Sequence, residues 1–171
     1  MIYWLNGAYG VGKTTVAEAL QPLLRNAHIF DPEMVGNGIR DNYPDSLFCE
    51  TYEEYPIWLE TNYKLLKDLY ERYDGDVIAP MTLLQESSYT AIIGRLLGDG
   101  IPARYIYLDA DEATLKHRMI DSGREEPDSW CVRHIPTCLD AQAADTHAVH
   151  IDTVGRTPQE LAALIAALPS K

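Results

Sequence analysis

The sequence near the N terminus combines glycines, a lysine and hydroxyl residues at a spacing that suits phosphate binding. Residues 7–14 read Gly-Ala-Tyr-Gly-Val-Gly-Lys-Thr and fit the P-loop pattern G-x-x-x-x-G-K-S/T. Glycines let the backbone turn tightly, so that successive N–H groups can face an anion at the positive end of the next helix. The residues predicted to bind ATP are Gly7, Ala8, Tyr9, Gly10, Val11, Gly12, Lys13, Thr14 and Thr15.

Three side chains of this loop have specific expected roles. Lys13 is expected to reach the β- and γ-phosphates and to act in catalysis. The Thr14 hydroxyl is expected to coordinate Mg2+, and Thr15 to support the start of the helix. A P-loop indicates a nucleoside triphosphate, and the rest of the chain has to indicate what happens to it.

Further candidates for chemistry follow later strands. Asp31 follows a short apolar run, where a carboxylate can hold an acceptor hydroxyl as a base or orient water on Mg2+. The alternative role for Asp31 is to start an Asp-Pro turn, and Glu33 is a weaker candidate on the same grounds. Residues 153–156 follow the last strand and are candidates for the loop beside adenine.

Three arginines bracket a segment that contains glycine and proline. Arg118, Arg124 and Arg133 lie around residues 121–130, and we predict a mobile lid at about 121–134. Such a lid would place Arg118 and Arg124 on the transferred phosphoryl group, Arg118 also on the nucleotide and Arg133 on the acceptor. Ion pairing of each arginine with neighbouring acids at the surface is the alternative.

Aromatic residues suggest a place for a ring-shaped ligand. Tyr52, Tyr55, Trp58 and Tyr63 cluster near the start of one helical stretch, and Trp130 lies in the predicted lid. Aromatic faces bind sugars and nucleobases, while packing of the helix on the sheet explains the same spacing.

The elements that must position these residues alternate along the chain. Short apolar runs at 2–6, 27–30, 77–79, 103–108 and 148–151 predict strands. Helical spacing is found at 16–24, 53–73, 88–97, 111–121 and, after a capping-box sequence at 157–160, at 161–168. This alternation predicts an α/β fold in three layers around a five-stranded parallel sheet, in one domain over residues 1–171.

Composition restricts the partners. The 171 residues carry 14 basic and 26 acidic side chains, a formal charge of −12 that repels nucleic acids and anionic membranes. No apolar run reaches the ~18 residues of a transmembrane helix. Three cysteines without a Cys-x-x-Cys pair suit reduced thiols, so a cytoplasmic location is expected. Oligomeric state is left open, with a homodimer among the options.

The motifs together resemble the bacterial tunicamycin-resistance protein family. Besides Asn6 and the P-loop, the resemblance rests on residues 30–34 (FDPEM), 55–58 (YPIW), 62–63 (NY), 80–82 (PMT), 92–96 (IIGRL) and 129–130 (SW). The resemblance implies a P-loop fold of the nucleoside and shikimate kinase type that binds ATP and Mg2+. It also implies candidates for the acceptor side, which are Asp31, Arg40, Trp58, Thr82 and Arg95.

The leading hypothesis is an ATP-dependent phosphotransferase that acts on a hydroxyl of a nucleoside- or sugar-containing small molecule, with tunicamycin implied by the resemblance. The third strand ends in Pro80-Met81-Thr82, where a Walker B strand carries aspartate. This departure favours an alternative, an ATP-dependent protein that sequesters tunicamycin without catalysis. A metabolic small-molecule kinase is the third possibility.

Overall fold

The computed structural model describes residues 1–121, 123 and 125–169. Within these residues, five parallel strands form one sheet in the order β2-β3-β1-β4-β5. The strands are β1 (Ile2–Gly7), β2 (His28–Ile29), β3 (Val77–Pro80), β4 (Ala103–Asp109) and β5 (Val149–Asp152). The predicted five-stranded parallel sheet is confirmed, with each strand boundary within two residues of the prediction.

Helices connect the strands, as parallel pairing requires. They are α1 (Lys13–Leu20), α2 (Pro32–Asn42), α3 (Pro56–Arg72), α4 (Glu86–Tyr89), α5 (Arg95–Gly98), α6 (Glu112–Lys116), α7 (Trp130–Arg133), α8 (Ile135–Ala144) and α9 (Pro158–Ala166). π-Helical turns at Thr90–Gly94 and His117–Asp121 join α4 to α5 and extend α6. Short 3-10 helices span Gln21–Leu23, Asp45–Leu47 and Tyr52–Glu54.

The central strand β1 shows why the fold has three layers. Its residues are all buried, and they alternate between two hydrophobic clusters on opposite faces of the sheet. Tyr3 and Leu5 pack with α1, α8 and α9, whereas Ile2 and Trp4 pack with α3 and α5. A strand covered on both faces is continuously apolar, which is what residues 2–5 show.

Helices α2 and α8 and the start of α3 differ from the sequence-based expectation, and neither α2 nor α8 was predicted. Helix α2 was not predicted, because Gly36 and Gly38 lower its helix propensity. Asp31 caps its start and Pro32 occupies its first turn. A Cβ on Gly36 would lie 2.3 Å from the Tyr52 ring, so tertiary packing accounts for this glycine. The predicted helix 53–73 begins later, with Pro56 in the first turn of α3.

The segment predicted as a lid contains helix α7 at its end. Trp130 begins α7, and Ser129 caps it by accepting a hydrogen bond from the Val132 N–H. Arg124 lies outside the described residues. Mobility of this segment stays a prediction.

The carboxyl edge of the sheet brings the candidate residues together. The P-loop follows β1, Asp31 lies two residues after β2, Thr82 two residues after β3 and Thr153 directly after β5. Because open parallel sheets bind ligands at this edge, the topology itself positions the candidate site.

Asn6 of β1 connects the segment after β3 to β4 in the core. Its fully buried amide donates from Nδ2 to the Leu83 carbonyl (2.8 Å) and to the Tyr105 hydroxyl (2.6 Å). Its Oδ1 accepts from the Leu83 N–H at 2.8 Å. The Asn6 side chain thereby fixes the segment after β3 to the strand that leads into the P-loop.

Replacing Asn6 with alanine should destabilise the fold, because the buried Leu83 N–H and carbonyl lose their partners. We expect a loss of about 2–4 kcal/mol in the free energy of unfolding, or a melting temperature lower by about 5–15 °C. Asn42→Ala is the control, since exposed Asn42 bonds only to Gly38 of its own helix. Thermal unfolding that shows equal, small effects for the two variants would contradict this role of Asn6.

Candidate active site

The P-loop has the backbone of an anion-binding turn. Gly7, Gly10 and Gly12 have φ values of 140°, 78° and 103°, which favour glycine. A Cβ on Gly7 would lie 2.7 Å from the Leu108 carbonyl oxygen, and one on Gly10 would lie 2.4 Å from Met119. The loop therefore needs glycine for close packing at these two positions as well as for its dihedral angles.

The start of α1 leaves its backbone donors free for a ligand. Its N-cap residue is Gly12, which offers no side-chain cap, and the first turn carries no acidic residue. Helices α2 and α9, in contrast, are capped by Asp31 and Thr157. The first N–H groups of a helix have no partner within it, so those of α1 can bind an anion.

Lys13 lies inside the curve of the loop. Its Nζ donates to the carbonyl oxygens of Gly7 and Ala8, at 2.9 Å each. Burial lowers the pKa of Lys13 to about 8, because removal from water disfavours the charged form. The Lys13 ammonium therefore has neutral partners, the two carbonyls and the Tyr9 ring, whose centroid lies 5.7 Å away, and would gain from a phosphate beside it.

A cavity of about 270 Å3 adjoins the P-loop, and we call it the phosphate cavity. Its lining includes Lys13, Thr14 and Thr15 from the start of α1 and Asp31 and Glu33 from the start of α2. The two predictions for Asp31 are compatible in this geometry. Its Oδ1 accepts the Glu33 N–H at 2.9 Å as a helix cap, and the residue also faces the phosphate cavity.

A second cavity, of about 680 Å3, has aromatic walls, and we call it the aromatic cavity. It is lined by Tyr9, Glu33, Arg40, Phe48, Glu50, Thr51, Tyr52, Glu53, Met81, Thr82 and Trp130. Tyr9 and Glu33 also line the phosphate cavity, so the two spaces share a wall. Trp130 packs edge-to-face on Tyr9, with ring centroids 5.1 Å apart, and donates from Nε1 to Glu50 at 2.6 Å.

Two buried polar residues form the side of the aromatic cavity next to the sheet. The Thr82 hydroxyl donates to the Gly7 carbonyl at 2.9 Å, so the position expected for a Walker B aspartate instead supports the P-loop. The Glu53 carboxylate accepts the N–H groups of Leu84 (2.9 Å) and Gln85 (3.1 Å). Burial raises the pKa of Glu53.

Sequence reasoning missed Glu53 as a residue of the site. Glu53 lies in a 3-10 helix just before α3, within a stretch that also contains exposed Glu54. Both glutamates look alike in the sequence, because only the long-range bonds to the segment after β3 distinguish them. No local signal could have separated the two.

On the outer side of the P-loop, a third cavity of about 440 Å3 contains Arg118, Arg156 and Pro158. Arg118 donates from Nη1 to the Val11 carbonyl (3.0 Å) and to the Thr153 hydroxyl (2.9 Å). Its Nη2 donates to the Thr153 carbonyl at 2.9 Å. Arg118 thus connects the P-loop to the segment after β5, and Arg156 of the predicted adenine loop lines the same cavity.

The remaining candidates for the acceptor side differ in whether they line a cavity. Arg40 lines the aromatic cavity, whereas Trp58 is fully buried and donates from Nε1 to the Pro32 carbonyl at 2.9 Å. Arg95 pairs with Glu60 on α3, with its guanidinium 3.8 Å from the Tyr63 ring centroid. Arg133 is exposed and donates to the Asp128 carbonyl. Neither Arg95 nor Arg133 lines the three cavities described above.

Comparison with known proteins places these features in context. The chain is similar to the tunicamycin resistance protein of Deinococcus radiodurans, with 26% identity, a TM-score of 0.80 and coverage of 97% of this chain and 93% of that one. The predicted resemblance is confirmed. No protein-family model and no curated protein sequence matches the chain.

P-loop kinases share the fold at lower identity. A sugar kinase from Janibacter has 18% identity and a TM-score of 0.69, covering 96% of this chain and 91% of that one. Shikimate kinase from Aquifex aeolicus has 18% identity and a TM-score of 0.56, covering 96% and 93%. The fold is therefore that of a P-loop kinase. Among the residues that the structure describes, no helix has the length and apolarity needed to cross a bilayer.

Binding of Mg-ATP should cause the protein to take up protons in mildly alkaline solution. With a pKa of about 8, about three-quarters of Lys13 is neutral at pH 8.5, and a bound phosphate would raise this pKa and protonate it. Calorimetry in buffers of different ionisation enthalpy should therefore detect an uptake of roughly half a proton or more at pH 8.5 and little at pH 6.5. Lys13→Met should keep the fold and lose the pH-dependent uptake together with most of the ATP affinity. An equal uptake in that variant would exclude Lys13 as its source.

Proposed function

We propose that the protein is a cytoplasmic ATP-dependent phosphotransferase that phosphorylates a hydroxyl of a nucleoside- or sugar-containing small molecule. One observation carries the proposal, which is that the phosphate cavity and the aromatic cavity share Tyr9 and Glu33 as a wall. A phosphoryl donor and a ring-shaped acceptor could therefore meet at one carboxylate. Tunicamycin is the first acceptor to test, because the D. radiodurans tunicamycin resistance protein has the same fold.

The residues of the phosphate cavity suit a nucleoside triphosphate and Mg2+. Uncapped N–H groups at the start of α1 and the Lys13 ammonium offer donors to phosphate oxygens. The exposed Thr14 hydroxyl and the Asp31 carboxylate line the same cavity and would hold Mg2+, a cation that prefers oxygen ligands. When bound, Mg2+ would neutralise negative charge on the phosphates.

Within this proposal, the two carboxylates at the start of α2 have different roles. The Asp31 oxygen that caps α2 keeps Asp31 on the phosphate side, whereas Glu33 lies on both sides of the shared wall. Glu33 would accept the proton of the acceptor hydroxyl, and Lys13 would stabilise the charge on the transferred group. Tyr9 and Trp130 would orient the acceptor ring, since phosphoryl transfer depends mainly on positioning.

The sequestering protein is the second candidate, and Thr82 is the observation that favours it. The Thr82 hydroxyl donates to the Gly7 carbonyl, and residues 81–85 directly after β3 contain no carboxylate to assist a metal ion. In that case ATP and the ligand would bind, and no covalent product would form.

Mass spectrometry of tunicamycin incubated with the protein and Mg-ATP decides between the two candidates. We expect a gain of one phosphoryl group, with many turnovers per protein molecule. Binding of the drug without a mass gain would support sequestration, and absence of binding would remove tunicamycin as the ligand.

Glu33→Gln should lower the turnover number by about 10²–10⁴-fold, because general base catalysis contributes about that much, while tunicamycin affinity changes little. Asp31→Asn should instead lower the affinity for Mg2+ and raise the KM for ATP. Glu71→Gln is a control, since Glu71 on α3 is exposed and lines none of the three cavities. Equal turnover in Glu33→Gln and wild type would exclude Glu33 as the base.

A further inference from the structure

The aromatic cavity carries an unusual balance of charge for an acceptor site of a kinase. Its described lining contains three carboxylates, Glu33, Glu50 and Glu53, and one guanidinium, Arg40. Sites that bind phosphate or carboxylate groups normally present arginine or lysine to them. The lining therefore has more groups that repel an anionic ligand than groups that attract one.

Arg40 is engaged through Nη2 and through the faces of its guanidinium, whereas its buried Nε has no hydrogen-bond partner among the described residues. Its Nη2 donates to the carbonyl oxygens of Cys49 (3.0 Å) and Glu50 (2.8 Å). Its guanidinium carbon lies 4.1 Å from the Tyr52 ring centroid and 5.0 Å from that of Phe48. The Arg40 guanidinium thus holds the segment around residues 48–50 in place, and it is one cation against the three carboxylates of the lining.

The carboxylates lie on separate sides of the cavity. Glu50 accepts a hydrogen bond from the Trp130 Nε1–H, Glu53 accepts two backbone N–H groups next to the sheet, and Glu33 lies at the wall shared with the phosphate cavity. Charges spaced in this way act on a ligand from several directions. Each carboxylate within about 7 Å should weaken the binding of a monoanion roughly fivefold.

We infer that the aromatic cavity selects against anions, so that its ligand is a ring compound without a phosphate or carboxylate group. This inference rests on the proposed function, in which the aromatic cavity holds the acceptor. It deepens that function by naming the chemical class of the acceptor. Nucleotides and sugar acids would be excluded, whereas nucleosides, uncharged sugars and ring compounds with an amine would be admitted. Glu33 and Glu50 are then residues that determine specificity.

Trp130 allows the potential of the cavity to be measured without a ligand. Trp4 and Trp58 are fully buried, while Trp130 is half-buried and lines the cavity. Collisional quenching of tryptophan fluorescence by iodide, caesium and neutral acrylamide, at pH 8 and constant ionic strength, therefore reports mainly on Trp130. Trp130→Phe gives the residual signal of the two buried tryptophans, which is subtracted.

We expect caesium to quench Trp130 at least threefold more efficiently than iodide, each relative to free tryptophan. Glu33→Gln and Glu50→Gln should each raise the iodide-to-caesium ratio about twofold or more. Glu71→Gln is the matched control, because this substitution removes the same charge elsewhere. Glu71 is exposed on α3 and lines none of the three cavities. Glu33 makes no contact with Trp130 in the described hydrogen bonds, so Glu33→Gln tests the charge even if Glu50→Gln shifts the ring.

A matched pair of ligands tests the same inference directly. With Mg2+ and a non-hydrolysable ATP analogue in the P-loop, uridine should bind at least tenfold more tightly than uridine 5′-carboxylate, and the Glu33→Gln/Glu50→Gln double variant should reduce this ratio. Equal or tighter binding of the carboxylate, equal quenching by the two ions, or an equal shift in Glu71→Gln would overturn the inference. If neither nucleoside binds, the quenching ratios decide. Neither measurement requires turnover, so a failure of phosphoryl transfer would be seen separately.

Discussion

The site depends on one interaction, the hydrogen bonding of the Lys13 ammonium to the carbonyl oxygens of Gly7 and Ala8. These bonds turn two carbonyls of the loop towards Lys13, while the uncapped N–H groups at the start of α1 stay available to an anion. The chain carries a formal charge of −12, which repels a triphosphate at long range. Attraction must therefore be local, and one half-buried ammonium with several backbone donors is how this fold supplies it.

Support for the loop comes from neighbouring strands. The Gly7 carbonyl accepts both the Lys13 ammonium and the Thr82 hydroxyl, and Asn6 binds the segment just beyond Thr82. The same segment is held from the other side by Glu53. These polar groups are buried, and an unpaired buried polar group is costly, so each bond restricts the others. The shape of the aromatic cavity next to the sheet is consequently tied to the shape of the P-loop.

The sequence predicted features that local patterns encode. Glycine spacing identified the P-loop. Apolar runs identified the strands, because each buried strand is a short apolar run in the sequence. Helix α2 escaped prediction, since Gly36 is explained by the Tyr52 ring 16 residues away. Glu53 escaped for a similar reason, because its partners lie 31 and 32 residues further on. Arg95, which motif resemblance suggested for the acceptor side, pairs with Glu60 and lines none of the three cavities, so its role stays a prediction.

The start of α2 shows how a structural need can separate the roles of two acids. A helix cap requires a residue such as Asp31 directly before the first turn, and its oxygen then accepts the N–H of Glu33 two residues later. Because that bond fixes Asp31 on the phosphate side, the longer side chain of Glu33 is the one left facing both cavities. If phosphoryl transfer occurs, the proton acceptor and the metal-side carboxylate are then positioned by the same helix cap. An acid in the first turn of α2 is also favoured by the helix dipole, so Glu33 stabilises the helix at the same place where it adds to the repulsion of anions.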